Sequence, residues 1–333
     1  FVPLFSILYI KCNSVTDSVT MYDNIDFNLS IEQASNVDLL AEIPARLQKV
    51  SEHSFNNGDN IAITGYIDTL KVSVTDKRVK VFDSSLCKWF LGENFQTLTR
   101  GDTKRAIEKL SDLLLLPMHK GNVTRIDLAQ NLILQYELPV YYNHLGTLQH
   151  FNRLEQNKGL YYNNSKRILV FYDKVAEYKS KGLPVPQLYQ NRNVLRYEMR
   201  FKRQLLQQFN VPELRAEMLY NEKFYIDIID RWHHEYKSIN KLRNINEIDF
   251  TMIKTKEQLK AQALLFLITS KGGELEFLKE VNEAQKKGML TKKQAFDLRE
   301  LVKGACKKEL LTSQSDVIAE LDKKVKEAVR FYR

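Results

Sequence analysis

Arg167-Ile-Leu-Val-Phe-Tyr-Asp-Lys-Val-Ala-Glu177 decides how the rest of the chain reads. The apolar run Ile168 to Phe171 predicts a buried strand, and the polar break at Tyr172, Asp173 and Lys174 predicts its end, with a helix after it. Side chains alternate along a strand. Ile168, Val170, Tyr172 and Lys174 therefore share one face, and Leu169, Phe171 and Asp173 the other. A tyrosine and a lysine emerge side by side from a rigid element, a suitable place for a nucleophile and a cation next to a phosphate.

Two further strands carry the same pattern. In Asn122 to Leu132, Arg125, Asp127 and Ala129 oppose Ile126 and Leu128. In Val194 to Lys202, Arg196, Glu198, Arg200 and Lys202 oppose Tyr197, Met199 and Phe201. If the strands share one antiparallel sheet, one face is core. The other gathers Asp127, Glu198, Tyr172, Lys174 and several arginines. Pattern alone leaves two readings open. One is a solvated sheet face with ordinary cross-strand Arg–Glu and Arg–Asp pairs. The other is a catalytic face, where two carboxylates hold a hard divalent cation, the cation polarises a scissile phosphate, and Lys174 and the arginines offset the developing negative charge.

Around these strands the chain reads as α+β followed by helix. Tyr22 to Phe27 starts a strand-bearing domain, and Ile61 to Phe82 alternates as strands with a turn at Thr75 to Arg78. Ser84-Ser85 caps a short helix ended by Gly92, and Asp102 is a good N-cap for a helix closed by Pro117. A helix is expected within 138–148, and 150–203 reads as a meander leading to the last strong strand. From Gln204 on the pattern is helical: a long amphipathic helix over 212–242, then helices over 255–270, 273–288, 291–303 and 313–332. The expected division is an upstream or disordered segment 1–20, an antiparallel-sheet domain with helices over 21–210, and an all-helical domain over 211–333. Phe1 to Ile10 is apolar but lacks a basic lead, and Met21 is the expected start of the protein.

The 333 residues carry a net charge of +9 and a pI of about 9.2. Such an excess favours a polyanionic partner, nucleic acid before anionic membrane. Cys12, Cys87 and Cys306 are widely separated and fit a reducing cytoplasm better than a disulfide framework. No run approaches the roughly 20 apolar residues of a membrane span. The chain has no GxxxxGK[ST] loop, no GxGxxG and no zinc-finger spacing, which argues against a nucleotide-hydrolysing engine. Its histidines are scattered. His119 and His144 flank the Asp127 strand, but no His-hydrophobe-His pair exists.

At the same strands the chain resembles the gene II/X family of phage and plasmid replication initiators. Thr124 to Leu128, Leu169 to Glu177 and Leu195 to Lys202 look like its three signature blocks, and Ser84 to Asn94 with Leu98 to Thr103 resembles an earlier segment. The resemblance covers about residues 60–210. It implies an HUH-nickase-like fold and a rolling-circle initiator that nicks one strand of a double-stranded origin. Such a protein stays joined to the 5′ phosphate through tyrosine and later rejoins the strand. By this resemblance Tyr172 is the nucleophile and Lys174 neutralises the phosphate. Asp127 and Glu198 bind Mg²⁺ or Mn²⁺, and Arg125, Arg196, Arg200 and Lys202 face DNA. The implied partners are double- and single-stranded origin DNA, a host helicase and a host polymerase, in a bacterial cytoplasm. Two departures from related initiators stand out: the metal-binding histidines are absent, and Asn131 stands where a second acid is found. Tyr178 reads as a helix-face residue, with Tyr161 and Tyr162 as reserve nucleophiles. The alternative is a non-cleaving origin-binding or regulatory protein. Lys254, Lys256, Lys260, Lys286, Lys287, Lys292, Lys293, Lys307 and Lys308 are expected to add phosphate contacts, and a helix after the Gly288–Thr291 turn could mimic helix-turn-helix.

Overall fold

The structure is a computed structural model that describes residues 21–55, 60–156, 159–241, 253–307 and 316–330. Residues 1–20 with Cys12, and Lys308, lie outside the described residues.

The strand β1 (Tyr22–Ser30) is followed by the short helix α1 (Leu39–Glu42), then β2 (Gln48–Phe55), β3 (Asn60–Ile67), β4 (Leu70–Val74) and β5 (Arg78–Val81). The helices α2 (Leu86–Leu91) and α3 (Arg100–Leu114) lead to the long strand β6 (Asn122–Leu134) and the helix α4 (Leu138–His144). A meander follows, β7 (Asn152–Gln156), β8 (Gly159–Asn163) and β9 (Arg167–Asp173), then α5 (Lys174–Ser180) and β10 (Asn193–Phe201). The remainder is helical: α6 (Leu205–Phe209), α7 (Glu222–Ser238), α8 (Lys256–Ser270), α9 (Glu274–Lys286), α10 (Lys292–Lys307) and α11 (Asp316–Ala328). The fold is thus α+β, an antiparallel sheet with helices and a helical region after it, as expected. The ten strands run in the order β2-β3-β4-β5-β1-β6-β10-β9-β8-β7.

Local chemistry sets the element ends. The Ser85 hydroxyl accepts the Lys88 amide at 3.1 Å to start α2, and Gly92 ends it at φ 84°. For α3 the cap is Thr99 rather than Asp102. The Thr99 hydroxyl accepts the Asp102 amide at 2.9 Å, and the Asp102 carboxylate accepts the Thr99 amide at 3.1 Å. This reciprocal pair satisfies two orphan amides where Asp102 as cap would satisfy one. The helix expected over 212–242 begins only at Glu222. Its expected first turns are tied to β6 instead: Val123 donates to the Leu214 carbonyl and Ala216 to that of Gly121, each at 2.8 Å. The strand β2 had no sequence signal, because Val50 is its one aliphatic residue before Phe55 and residues 48–54 are exposed at the edge of the sheet.

The chain forms two compact units, and both β6 and β10 pass from one to the other. The first holds residues up to Gln130, Arg200–Asp230 and the stretch from Glu327. In it α3 buries Ala106, Ile107, Leu110 and Leu114, the Tyr22 hydroxyl donates to the Leu219 carbonyl at 3.0 Å, and Phe209 lies between Phe201 and Phe224.

The second unit holds Asn131–Met199 and Arg231–Lys326. An aromatic column runs through it. Phe171 of β9 stacks on Tyr197 of β10 at 4.5 Å and 4°, and Tyr197 meets Trp232 of α7 at 4.5 Å. The Tyr197 hydroxyl donates to the Trp232 carbonyl at 3.1 Å. Helix α11 is held by two carboxylates: Glu320 accepts the Tyr141 hydroxyl and the Gln135 amide, and Asp322 accepts the Tyr236 hydroxyl at 2.6 Å. Helices α8, α9 and α10 share an apolar cluster of Ile268, Val302 and Ala305, with Leu264, Leu265, Phe277 and Leu278 packed on it.

Lys241, just past α7, donates to the Tyr236 carbonyl at 2.6 Å and lies 3.8 Å over the Tyr236 ring. Burial pushes its ammonium pKa down to about 7, against the opposing pull of the Asp322 charge. Below that value the lysine is charged both folded and unfolded, and the burial cost is felt in full. Above it the folded chain releases a proton that the unfolded chain retains, so stability rises with pH, by at most about 1.4 kcal/mol per unit. Urea midpoints should therefore climb more steeply from pH 7 to 9.5 in the natural chain than in Lys241→Met. Parallel profiles would contradict this.

Candidate active site

The junction of β9 and α5 presents Tyr172. The strand ends because Asp173 turns its carboxylate to cap α5, accepting the Ala176 amide at 2.8 Å. Lys174 is consequently the first helical residue and not a strand residue, so strand alternation does not set its direction. Tyr172 is half-buried, whereas Lys174 is 0% exposed. The Lys174 ammonium pairs with Glu177 at 2.9 Å and sits 5.9 Å from the Tyr172 ring centre and 4.9 Å from that of Tyr178. The tyrosine and the cation are neighbours, as the sequence indicated, but a helical turn brings this about.

Glu177 completes this group, and sequence reasoning assigned it no role. It also pairs with Lys181. Partial burial raises its pKa, but the bonds to Lys181 and Lys174 outweigh that and hold the carboxyl below the usual glutamate range. Gly159 lies opposite Tyr172 in the β8–β9 pairing. A Cβ there would sit 3.0 Å from the Phe171 carbonyl and 3.3 Å from the Tyr172 Cβ, so glycine keeps the tyrosine's flank clear. Its signal was an Asn-Lys-Gly turn, which reads as turn chemistry alone.

In the same unit Arg196 is fully buried and Glu198 is 4% exposed. The Arg196 guanidinium donates to the Asn131 side-chain oxygen at 3.1 Å. The residue standing in place of a second acid therefore serves a buried arginine. Arg196, expected toward DNA, lies wholly inside the protein. Tyr162 is spent on packing, its hydroxyl donating to the Leu145 and Gly146 carbonyls, and Tyr178 is buried.

The other unit holds Asp127, 1% exposed. Arg125 clamps it through two bonds, Nε to Oδ1 at 2.9 Å and Nη2 to Oδ2 at 2.6 Å. Burial works against the Arg125 charge, but the Asp127 bonds and the charges of Asp127 and Asp26 more than offset it. Of the remaining DNA-facing candidates, Arg200 is half-buried and Lys202 exposed. Strand β1 adds residues that sequence reasoning passed over: Asn24 and Asp26 are 8% and 7% exposed. Burial raises the Asp26 carboxyl to about 6, with Arg125 opposing. The side-chain oxygens Asn24 Oδ1 and Asp26 Oδ1 are buried without a hydrogen-bond partner.

Asp127, Lys174, Arg196 and Glu198 are all buried rather than solvated. For a metal, the described residues contain no group of three or more His, Cys, Asp or Glu able to hold an ion. His144 bonds instead to the Val140 carbonyl at 2.7 Å. The orphaned buried oxygens of Asn24 and Asp26 nonetheless suit a hard cation, which prefers carboxylate and carboxamide ligands.

A family model for the N-terminal part of the phage replication-associated protein, the gene II protein, matches residues 21–235. The chain belongs to that family, and with it to the initiators of rolling-circle replication, proteins that act on DNA. No curated protein matches the chain. Among the described residues no helix is long and apolar enough to cross a membrane.

Replacing Glu177 by Gln removes the Lys174 partner from a partly exposed pair. The expected cost near neutral pH is about 1–2 kcal/mol. Because the folded-state pKa is lowered, this stability is present above the unfolded value and is lost as pH falls through the folded one. The difference in urea midpoint between the two proteins should close on acidification. A constant difference would show that Glu177 carries no such charge.

Proposed function

We propose that the chain is a metal-dependent, site-specific nickase and strand transferase acting on origin DNA in the bacterial cytoplasm, with Tyr172 as nucleophile. The observation that carries this reading is the buried Lys174 ammonium 5.9 Å from the ring of a half-exposed tyrosine, within the region matched by the family. The Tyr172 oxygen attacks the scissile phosphorus as the bond to the 3′ oxygen breaks. The phenol's proton ends on the departing 3′ hydroxyl, and the 5′ phosphate becomes a tyrosine ester. One phosphodiester replaces another, so the reverse reaction can rejoin the strand without an energy source. That economy agrees with the absence of a nucleotide-binding loop from the sequence.

From its buried position Lys174 offsets phosphate charge through its field beside Tyr172 rather than by contact, and Glu177 holds it in place. The family resemblance assigns Asp127 and Glu198 to Mg²⁺ or Mn²⁺; Glu198 lies in the unit that carries Tyr172, and a cation held there would polarise the phosphate. Arg200 and Lys202 supply backbone contacts to DNA. The exposed lysines Lys254, Lys256, Lys260, Lys286, Lys287, Lys292 and Lys293 of the helical region add salt-sensitive, sequence-independent grip. Unwinding and synthesis then fall to a host helicase and polymerase.

With supercoiled DNA carrying the cognate origin and Mg²⁺ or Mn²⁺, the natural chain should yield open circles and a covalent protein–DNA adduct. Tyr172→Phe should yield neither while still binding the origin, and Lys174→Met should nick about 10²–10³-fold more slowly. Nicking by Tyr172→Phe would remove the assigned nucleophile. Binding without nicking by the natural chain would favour a non-cleaving origin-binding protein.

A further inference from the structure

We propose that the ring of Tyr161 is a stacking platform for one unpaired nucleobase of the DNA strand, in a nucleotide next to the phosphate that Tyr172 attacks. The proposal rests on the reading above that Tyr172 attacks DNA, and it assigns a base-binding residue to that site.

Two rows of opposed residues cross the meander from β9 through β8 to β7. One row is Tyr172, Gly159 and Gln156, and the next is Val170, Tyr161 and Leu154. Alternation puts both rows on one face of the sheet. Tyr161 is thus a diagonal neighbour of Tyr172, at a spacing of about 7–8 Å that aromatic side chains bridge. Gly159 stands between them. A Cβ built on it would lie 3.3 Å from the Tyr172 Cβ and 3.4 Å from Cε2 of the Tyr161 ring. The Tyr161 ring therefore leans along β8 toward Tyr172, and glycine leaves the space between the two open to a third group.

The two faces of β8 are used differently. On the far face Leu160 and Tyr162 are 0% exposed. Tyr162 meets Phe171 edge-on at 6.2 Å, and its hydroxyl is spent on two carbonyls. On the near face Tyr161 is half-buried and, among the described residues, pairs with no other ring. Its neighbour across to β7, Leu154, is 44% exposed. The core takes one of the two adjacent tyrosines and leaves the other at the surface, beside the nucleophile candidate.

The surroundings select the ligand. Phe171 stacks on Tyr197 on the far face, so alternation places Arg196 and Glu198 of β10 on the face of Tyr172. On that face the charged residues lie on the β10 side of Tyr172, and the apolar and aromatic ones lie on its β8 side. A nucleotide is divided in the same way, into an anionic phosphate and a flat base with two π-faces. With the phosphate at Tyr172, in the field of Lys174, the adjoining base falls beside Tyr161. Any base can stack there once it is freed from its duplex partner. One tyrosine and one leucine are far too small a patch for a protein partner, whose interface takes about 800 Å² a side.

The test measures binding rather than cleavage and uses the full chain carrying Tyr172→Phe. The probe is a single-stranded oligonucleotide spanning the nicked bond of the cognate origin, either intact or lacking the base of one of the two nucleotides that flank that bond. One of the two abasic probes should bind about 5- to 150-fold more weakly than the intact one, the equivalent of about 1–3 kcal/mol for one stacked base. Adding Tyr161→Leu should weaken the intact probe by a similar factor and leave no further loss at that abasic position. Adding Tyr161→Phe instead, which keeps the ring, should bring the abasic loss back. Should Tyr161→Leu fail to fold, Tyr161→Trp tests the same contact, because a larger ring should tighten the intact probe and enlarge the abasic loss. An abasic loss that is absent at both positions, or that is the same whatever stands at residue 161, overturns the proposal. The nickase reading survives that result if the natural chain still forms the covalent adduct. An abasic loss that depends on the ring, in a chain that never nicks, keeps the stacking site and overturns the nickase reading.

Discussion

Ionic groups withdrawn from water are the constraint around which the rest of the structure is arranged. Lys174 and Arg196 are 0% exposed and Asp127 only 1%. Removing each charge from water carries an effective penalty of several kcal/mol, which is recovered only through close, well-directed partners. Lys174 and Asp127 have such partners: Glu177 reaches back one helical turn to Lys174, and Arg125 grips Asp127 with two parallel bonds. Arg196 donates to Asn131, a neutral amide that accepts the hydrogen bond but brings no opposing charge.

Holding Tyr172 at the rim of such an interior requires stiffness behind it. Its chain neighbour Phe171 is stacked face to face on Tyr197, which in turn rests on Trp232 and donates to that residue's carbonyl. Large rings in fixed contact leave β9 little freedom to shift. In front, Asp173 ends the strand by capping α5. The nucleophile candidate is thus pinned between an aromatic column and a helix cap, and Gly159 keeps its flank open. A transesterification needs this kind of placement, because small misalignments of the attacking oxygen are costly in rate.

Much of this was legible in the sequence, for identifiable reasons. The strands bearing Asp127, Tyr172 and Glu198 announced themselves by alternation, and α2 by Ser85 and Gly92, because those signals are local. The helices α9 to α11 followed from periodicity in the same way. What failed depended on distant neighbours. Residues 212–221 look helical alone but bond to the start of β6. β2 is polar because it lies at an edge. Lys174 was placed on the strand because alternation cannot register that Asp173 stops it. Asn24 and Asp26 gave no signal, since an acid and an amide alternating with Ile25 look like the wet side of a strand. Only the fold shows that this side is covered.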